Sequence, residues 1–146
     1  MKNKIVYVPL AVDILHSGHL NIINRAKKYG KVVIGLLSDN AVAEYKNIPS
    51  LEYEERYKIV KNLKNVHKII KQDTWDYSKV LNSLKPDYFV HGDDWKKGIQ
   101  KKTRQKVIRL LKKNKGKLIE IPHTKNISSS SIKADLINHL TPTSRV

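Results

Sequence analysis

With 146 residues, 40% of them hydrophobic, and no cysteine, the chain suits one soluble domain around a single core and excludes a disulfide framework or a thiolate metal centre. No apolar run approaches the ~18 residues that a membrane-spanning helix needs, and "MKNKIVYVPL" enters a strand-like run with no signal segment, which together fit a reducing cytoplasm. A formal net charge of +16, from 29 Lys and Arg against 13 Asp and Glu, makes a basic nucleic-acid-binding module one reading, but only 5 of the 29 are Arg and no basic stripe is interleaved with aromatic residues to stack bases.

The first expected element is a strand over 4–10, "KIVYVPL", rich in β-branched residues as buried parallel strands are. A helix over 19–29 follows, with Leu20, Ile23 and Ala26 at helical spacing, and then a strand over 31–37. Next come a helix over 53–63 (Ile59, Val60, Leu63), a strand over 66–71, a helix over 76–84 (Val80, Leu81, Leu84) and a strand over 87–92. A helix over 103–113 (Val107, Leu110, Leu111) and a strand over 117–122 complete the alternation. A last helix starts near "SSSSIKADLINHL", where serines serve as N-cap. The residues "TPTSRV" read as a tail or linker, so the expected domain is 1–138, followed by 139–146. Alternation of this kind implies an α/β fold: a Rossmann-like three-layer sandwich with a mainly parallel five-stranded sheet and right-handed crossovers. Ligands of such sheets bind beyond the carboxyl ends of the strands, so the loops there are the place to look for chemistry.

The loop after the first strand carries "HSGH", in which His16 and His19 bracket Gly18 at the start of a helix. Helix amides there carry partial positive charge, glycine lets a phosphate approach the backbone, and two imidazoles can donate to the same group. Donors so placed suit attack at the α-phosphorus of a nucleoside triphosphate, where negative charge grows on nonbridging and leaving-group oxygens. The alternatives are a metal site, which lacks cysteine and a neighbouring carboxylate cluster, and plain helix capping.

The stretch resembles the HxGH motif of the nucleotidyltransferase superfamily that includes cytidylyltransferases. Two further segments extend the likeness in the same order: "VHGDDW" (90–95) and "HTKNISSSSI" (123–132) resemble segments of glycerol-3-phosphate cytidylyltransferases. Over roughly residues 5 to 137 the chain is most similar to the phosphonate cytidylyltransferase domains joined to phosphoenolpyruvate mutase. The resemblance implies that His16 and His19 stabilise the transition state, and that Lys46, in "SDNAVAEYKNIP", serves catalysis by binding the acceptor's phosphate or phosphonate. It implies nucleotide contacts from Leu10, Ala11, Gly18, Thr124, Ile127, Ser128, Ser129 and Ser130, with the serines and nearby amides cradling the β- and γ-phosphates. Asp94 is implied to read the base, its carboxylate accepting from the exocyclic amine of cytosine. Trp95 is assigned either to the nucleotide or to packing, and Arg56 either to the nucleotide or to a pair with Glu52 across one helical turn. Asp13 is expected beside the acceptor, orienting an imidazole or lying near the Mg2+ that accompanies CTP. No protein ligand to a metal is assigned.

The expected activity is therefore transfer of CMP from CTP to a small phosphonate, such as 2-hydroxyethylphosphonate or 2-aminoethylphosphonate, with release of pyrophosphate. The alternatives are a glycerol-3-phosphate cytidylyltransferase and an adenylyltransferase using ATP. The resemblance also implies a homodimer, and fusion to or cooperation with phosphoenolpyruvate mutase. The sequence departs from the wider pattern at Leu10, Ala11 and Val12, where relatives carry glycine and phenylalanine, and at His123, where glycerol-phosphate enzymes carry arginine; Lys125 is then the basic residue nearest that end of the site.

Overall fold

Five short runs of β-branched and aromatic residues form five parallel strands, and their order in space sets where the site lies. The structure, a computed structural model, describes residues 3–45 and 48–140. The strands are β1 (Ile5–Leu10), β2 (Lys31–Leu37), β3 (Val66–Gln72), β4 (Tyr88–Gly92) and β5 (Lys117–Ile121). They are ordered β3-β2-β1-β4-β5, with Ile5 beside Lys31, Val6 beside Tyr88 and Tyr88 beside Lys117. All neighbours run parallel, as the sequence leads one to expect.

The helices are α1 (Ser17–Lys27), α2 (Asp39–Tyr45), α3 (Tyr53–Lys61), α4 (Ser78–Leu84), α5 (Lys101–Lys113) and α6 (Ser129–Leu140), with one 3-10 turn at Asp93–Lys96. Period-two alternation divides the buried residues between the two faces of the sheet. Val6, Val8, Val32, Ile34 and Val90 join Ile23 and Ala26 of α1 and Val60 of α3. Tyr7, Val33, Leu37 and Phe89 pack on the opposite face with Leu81 of α4 and Val107 and Leu111 of α5. Gly35 is needed on β2 because a Cβ there would lie 1.9 Å from the Tyr7 hydroxyl oxygen, and that hydroxyl donates to Gln72 of β3.

Helix ends differ from the sequence expectation by up to two residues, and two differences bear on the site. Residues 39–45 are helical where no element was assigned, and α1 starts at Ser17 rather than 19 because a histidine caps it. No helix among the described residues is long and apolar enough to cross a membrane.

Candidate functional site

The strand order changes direction between β1 and β4, so the loops leaving their carboxyl ends diverge and open a crevice. A cavity of about 790 Å³ occupies that point, lined by the ends of β1, β4 and β5, the first turn of α1 and the start of α6.

The β1–α1 loop is held from below. Val12, fully buried, takes a left-handed conformation at φ 52°, a placement that costs a β-branched residue about 1–3 kcal/mol. The turn is stabilised by Arg56 of α3, whose side chain is wholly buried and donates to the carbonyls of Ala11 (2.7 Å), Leu37 (2.7 Å) and Leu51 (2.9 Å) and to Asp39 (2.7 Å). Arg56 thus joins the ends of β1 and β2 to α3. It is absent from the cavity wall, and its acidic partner is Asp39 rather than the expected Glu52.

Asp13 ties the same loop to two other segments. Its carboxylate, 4% exposed, accepts from the amides of Ser50 and Leu51 at 3.0 Å each and pairs with Lys133 of α6. Burial would push this carboxyl up, but the Lys133 ammonium and the two amides outweigh it and hold it below the usual carboxylate range.

The two histidines cap α1. His16 is the N-cap residue, and its Nδ1 accepts from the Gly18 amide at 3.0 Å; Nδ1 of His19 accepts from the His16 amide at 3.2 Å. A ring nitrogen that accepts carries no hydrogen, so both rings take the tautomer with hydrogen on Nε2. The ring centroids are 4.0 Å apart and both rings line the cavity. Two neutral imidazoles at a helix N-terminus, each with an Nε2–H donor, form an arrangement able to stabilise a developing oxyanion. Gly18 is required by this cap: a Cβ there would sit 2.6 Å from His16 Cε1 and 2.8 Å from its Nδ1. Capping and line-of-sight to the cavity therefore coexist in the same two rings.

On the far side, β4 runs into the Asp93–Lys96 turn. Asp93 and Asp94 line the cavity, and Asp93 accepts from the His123 amide at 3.2 Å. Trp95 turns the other way. It is 1% exposed, stacks on His91 with centroids 3.7 Å apart, and donates its indole N–H to Glu120 of β5 at 2.8 Å. Glu120 also takes two 2.9 Å bonds from Arg104 of α5. The Arg104 guanidinium holds its carboxyl below the ordinary value; burial opposes this and the Trp95 indole reinforces it. Of the two expected roles for Trp95, packing is the one its position supports, and it fixes the turn that displays Asp94.

The serine run divides its tasks. Ser128 and Ser131 cap α6 reciprocally, each amide donating to the other's hydroxyl at 3.1 and 3.0 Å. Ser129 Oγ donates to the Ile14 carbonyl at 3.1 Å, which draws α6 toward the β1–α1 loop. Ser129 and Ser130 line the cavity, whereas Ser128 does not, because its hydroxyl is committed to the cap. Leu10, Ala11, Thr124 and Ile127 are on the wall as well. Lys46 lies outside the described residues.

A cytidylyltransferase-like family model matches residues 12–135, which runs from the β1–α1 loop into α6 and takes in both histidines, the Asp93–Lys96 turn and the serine run. The chain belongs to the cytidylyltransferase-like family. Over 129 residues this family member is 30% identical to an ethanolamine-phosphate cytidylyltransferase of Dictyostelium discoideum, covering 87% of this chain but 35% of that protein. It is also 30% identical over 139 residues to a glycerol-3-phosphate cytidylyltransferase of Bacillus spizizenii, covering 93% of this chain and 98% of the relative. Among solved structures, a lipopolysaccharide core biosynthesis protein of Thermoplasma volcanium superposes with a TM-score of 0.68 at 23% identity, covering 85% of this chain and 98% of that one. That likeness concerns the fold.

Wall residues of this cytidylyltransferase-like chain that escape a reading of its sequence include His91 and Lys133, and the bond that Asp93 accepts from the His123 amide escapes it too. Lys133 sits in an ordinary amphipathic helix, and its partner Asp13 is 120 residues away. No group of three or more His, Cys, Asp or Glu suited to hold a metal ion occurs among the described residues.

Proposed function

We propose that this chain transfers CMP from CTP to a small phosphorylated alcohol, releasing pyrophosphate. The observation that carries this reading is the convergence of the mutually capped His16 and His19, the first amides of α1 and the start of α6 on one cavity. An oxygen of the acceptor attacks the α-phosphorus in line; the new P–O bond forms as the bond to the β-phosphate oxygen breaks, and pyrophosphate carries away the electron pair. Charge grows on oxygens that Nε2–H groups and helix amides are suited to face, so positioning and electrostatics supply the catalysis without a covalent intermediate.

The relatives named for ethanolamine phosphate and glycerol 3-phosphate support a phosphorylated alcohol as acceptor. A phosphonate presents the same oxygens on a carbon-linked phosphorus, so 2-hydroxyethylphosphonate and 2-aminoethylphosphonate belong to the same acceptor class. Asp94, exposed on the wall, is assigned to the cytosine amine. Magnesium would arrive on the triphosphate. With Asp13 engaged by Lys133 and two amides, the wall offers no all-protein cage, which suits an ion held mainly by phosphate and water. When bound, the ion neutralises phosphate charge.

The test is pyrophosphate release from CTP, UTP and ATP across glycerol 3-phosphate, ethanolamine phosphate and the two phosphonates. Turnover with CTP and at least one of these acceptors is expected. Turnover confined to ATP would replace cytidylyl by adenylyl transfer, and release with no nucleotide would reject the reading.

A further inference from the structure

His91, next to last in β4, lines the cavity beside the two capping histidines but holds its hydrogen on the other nitrogen. Its Nδ1 lies 2.9 Å from the Gly92 carbonyl oxygen. A carbonyl only accepts, so this contact puts the hydrogen on Nδ1 and makes Nε2 of the neutral ring an acceptor. His16 and His19 have the opposite arrangement, Nδ1 accepting and Nε2 carrying the hydrogen. One cavity thus presents imidazoles of two kinds: donors suited to phosphate oxygens, and an acceptor that no phosphate oxygen can satisfy. We propose that His91 is a specificity-determining residue for the second substrate, its Nε2 receiving a hydrogen bond from a hydroxyl or ammonium on the carbon chain of a small phosphate or phosphonate. The inference rests on the nucleotide-transfer reading above and deepens it by naming the group which that substrate must carry.

Position supports it first. The cavity straddles the end of the sheet: α1 and its histidines belong to the face packed by α1 and α3, whereas Leu37, Val42, Trp75 and Tyr77 enter it from the face packed by α4 and α5. His91 is on that second side, its ring parallel to that of Phe89 with centroids 6.5 Å apart. In an in-line displacement the attacking and leaving oxygens stand on opposite sides of the α-phosphorus. With pyrophosphate against the amides of α1 and the start of α6, the acceptor arrives from the side of Trp75 and His91. Polarity supports it second. Leu37 and Val42 are aliphatic, and the Trp75 indole N–H is itself a donor, bonded to the Ala41 carbonyl. A hydroxyl or ammonium brought among them gives up water and needs an acceptor in return, and the His91 Nε2 is one. Rigidity supports it third. Trp95, 1% exposed and bonded to Glu120, covers one face of the His91 ring with centroids 3.7 Å apart and planes 7° from parallel. The Glu120–Arg104 pair therefore steadies the direction of Nε2 through Trp95, and an acceptor already oriented loses little freedom on binding.

The probes are 2-aminoethylphosphonate, 2-hydroxyethylphosphonate and ethylphosphonate, which share a two-carbon chain and differ in the donor at its end. Pyrophosphate release with CTP gives kcat/KM for each. The wild-type chain is expected to prefer the two donor-bearing acceptors over ethylphosphonate by about tenfold or more. His91→Phe keeps a flat ring for Trp95 to stack on and removes the acceptor nitrogen, so the preference should shrink to less than about twofold, the loss falling on the acceptor's KM. His91→Gln, whose amide oxygen accepts, should keep most of it, and circular dichroism verifies the fold of both variants. An unchanged preference in His91→Phe overturns the proposal, as does a wild-type chain indifferent to the donor. An equal loss with all three acceptors overturns it too, because His91 then only shapes the wall. If no acceptor releases pyrophosphate, the transfer reading falls instead, and calorimetric binding of 2-aminoethylphosphonate against ethylphosphonate to wild type and His91→Phe still decides the part that His91 plays.

Discussion

His16 and His19 lock each other in place: each offers Nδ1 to a backbone amide of the same helix start, His16 to Gly18 and His19 to His16 itself. The hydrogen to which we assign the chemistry and the structural bond are thus on opposite nitrogens of one ring. Replacing His16 by Asn retains a good N-cap acceptor and deletes the Nε2–H group, whereas Ala deletes both. Denaturant unfolding should place His16→Asn close to wild type and His16→Ala about 1 kcal/mol lower. Pyrophosphate release should fall in both, and in His19→Ala by about a hundredfold or more, as for loss of an oxyanion donor. Near-normal turnover in His16→Asn would leave capping as that ring's whole role.

Gly18→Ala is expected to separate propensity from geometry. Alanine favours a helix more than glycine by about 1 kcal/mol, yet its Cβ would meet the His16 ring at 2.6 Å. The ring must swing away. Thermal unfolding should change little while turnover drops by about a hundredfold, the scale of a ~1 Å misplacement of a reacting group. Full activity in this variant would show that the ring position is not critical.

Arg56 is expected to govern stability. Removing its guanidinium in Arg56→Met strands the Leu37 carbonyl in the interior and takes the donor from the half-buried carbonyls of Ala11 and Leu51, a change of about 3 kcal/mol. Urea unfolding should show that loss. A variant as stable as wild type but defective only in nucleotide affinity would return Arg56 to the site.

Acid should loosen the molecule through named carboxylates. Asp76, paired with Lys106 and bonded to Ser78, is held down to about 2, and Asp13 and Glu120 are also held low. Each folded pKa lies below its unfolded value near 4, so the unfolded chain binds more protons in that window. The stability they add is present above about pH 4 and fades as the pH falls toward 2. Asp13→Asn should be less stable than wild type at pH 7, and the gap should close as the pH falls below the ordinary carboxylate range. A gap that stays constant across the range would mean that the carboxylate's charge adds nothing.

The five strands are legible in the sequence because each is a compact β-branched run flanked by helical spacing. The His16–His19 loop, Asp94 and the serine run are legible for a related reason: each joins a recognisable residue type to a strand end or helix start. What the sequence hides is set by distance along the chain. Arg56 reads as a nucleotide contact or a partner of Glu52 until Ala11, 45 positions away, is seen to accept from it. Lys133 is one of many lysines until Asp13 meets it. Helix α2 hides for a local reason: seven residues beginning "DNA" look like a turn, and it is Asp39 facing Arg56 that anchors them.

Because β4 docks directly against β1, Val6 beside Tyr88 and Tyr7 beside Phe89, the crevice sets the β1–α1 segment against the segments from Val90 onward, with Leu37, Val42, Trp75 and Tyr77 completing its lining. The second bank has no place until this central seam closes, so a nascent or clipped chain lacking β4 would present an incomplete crevice.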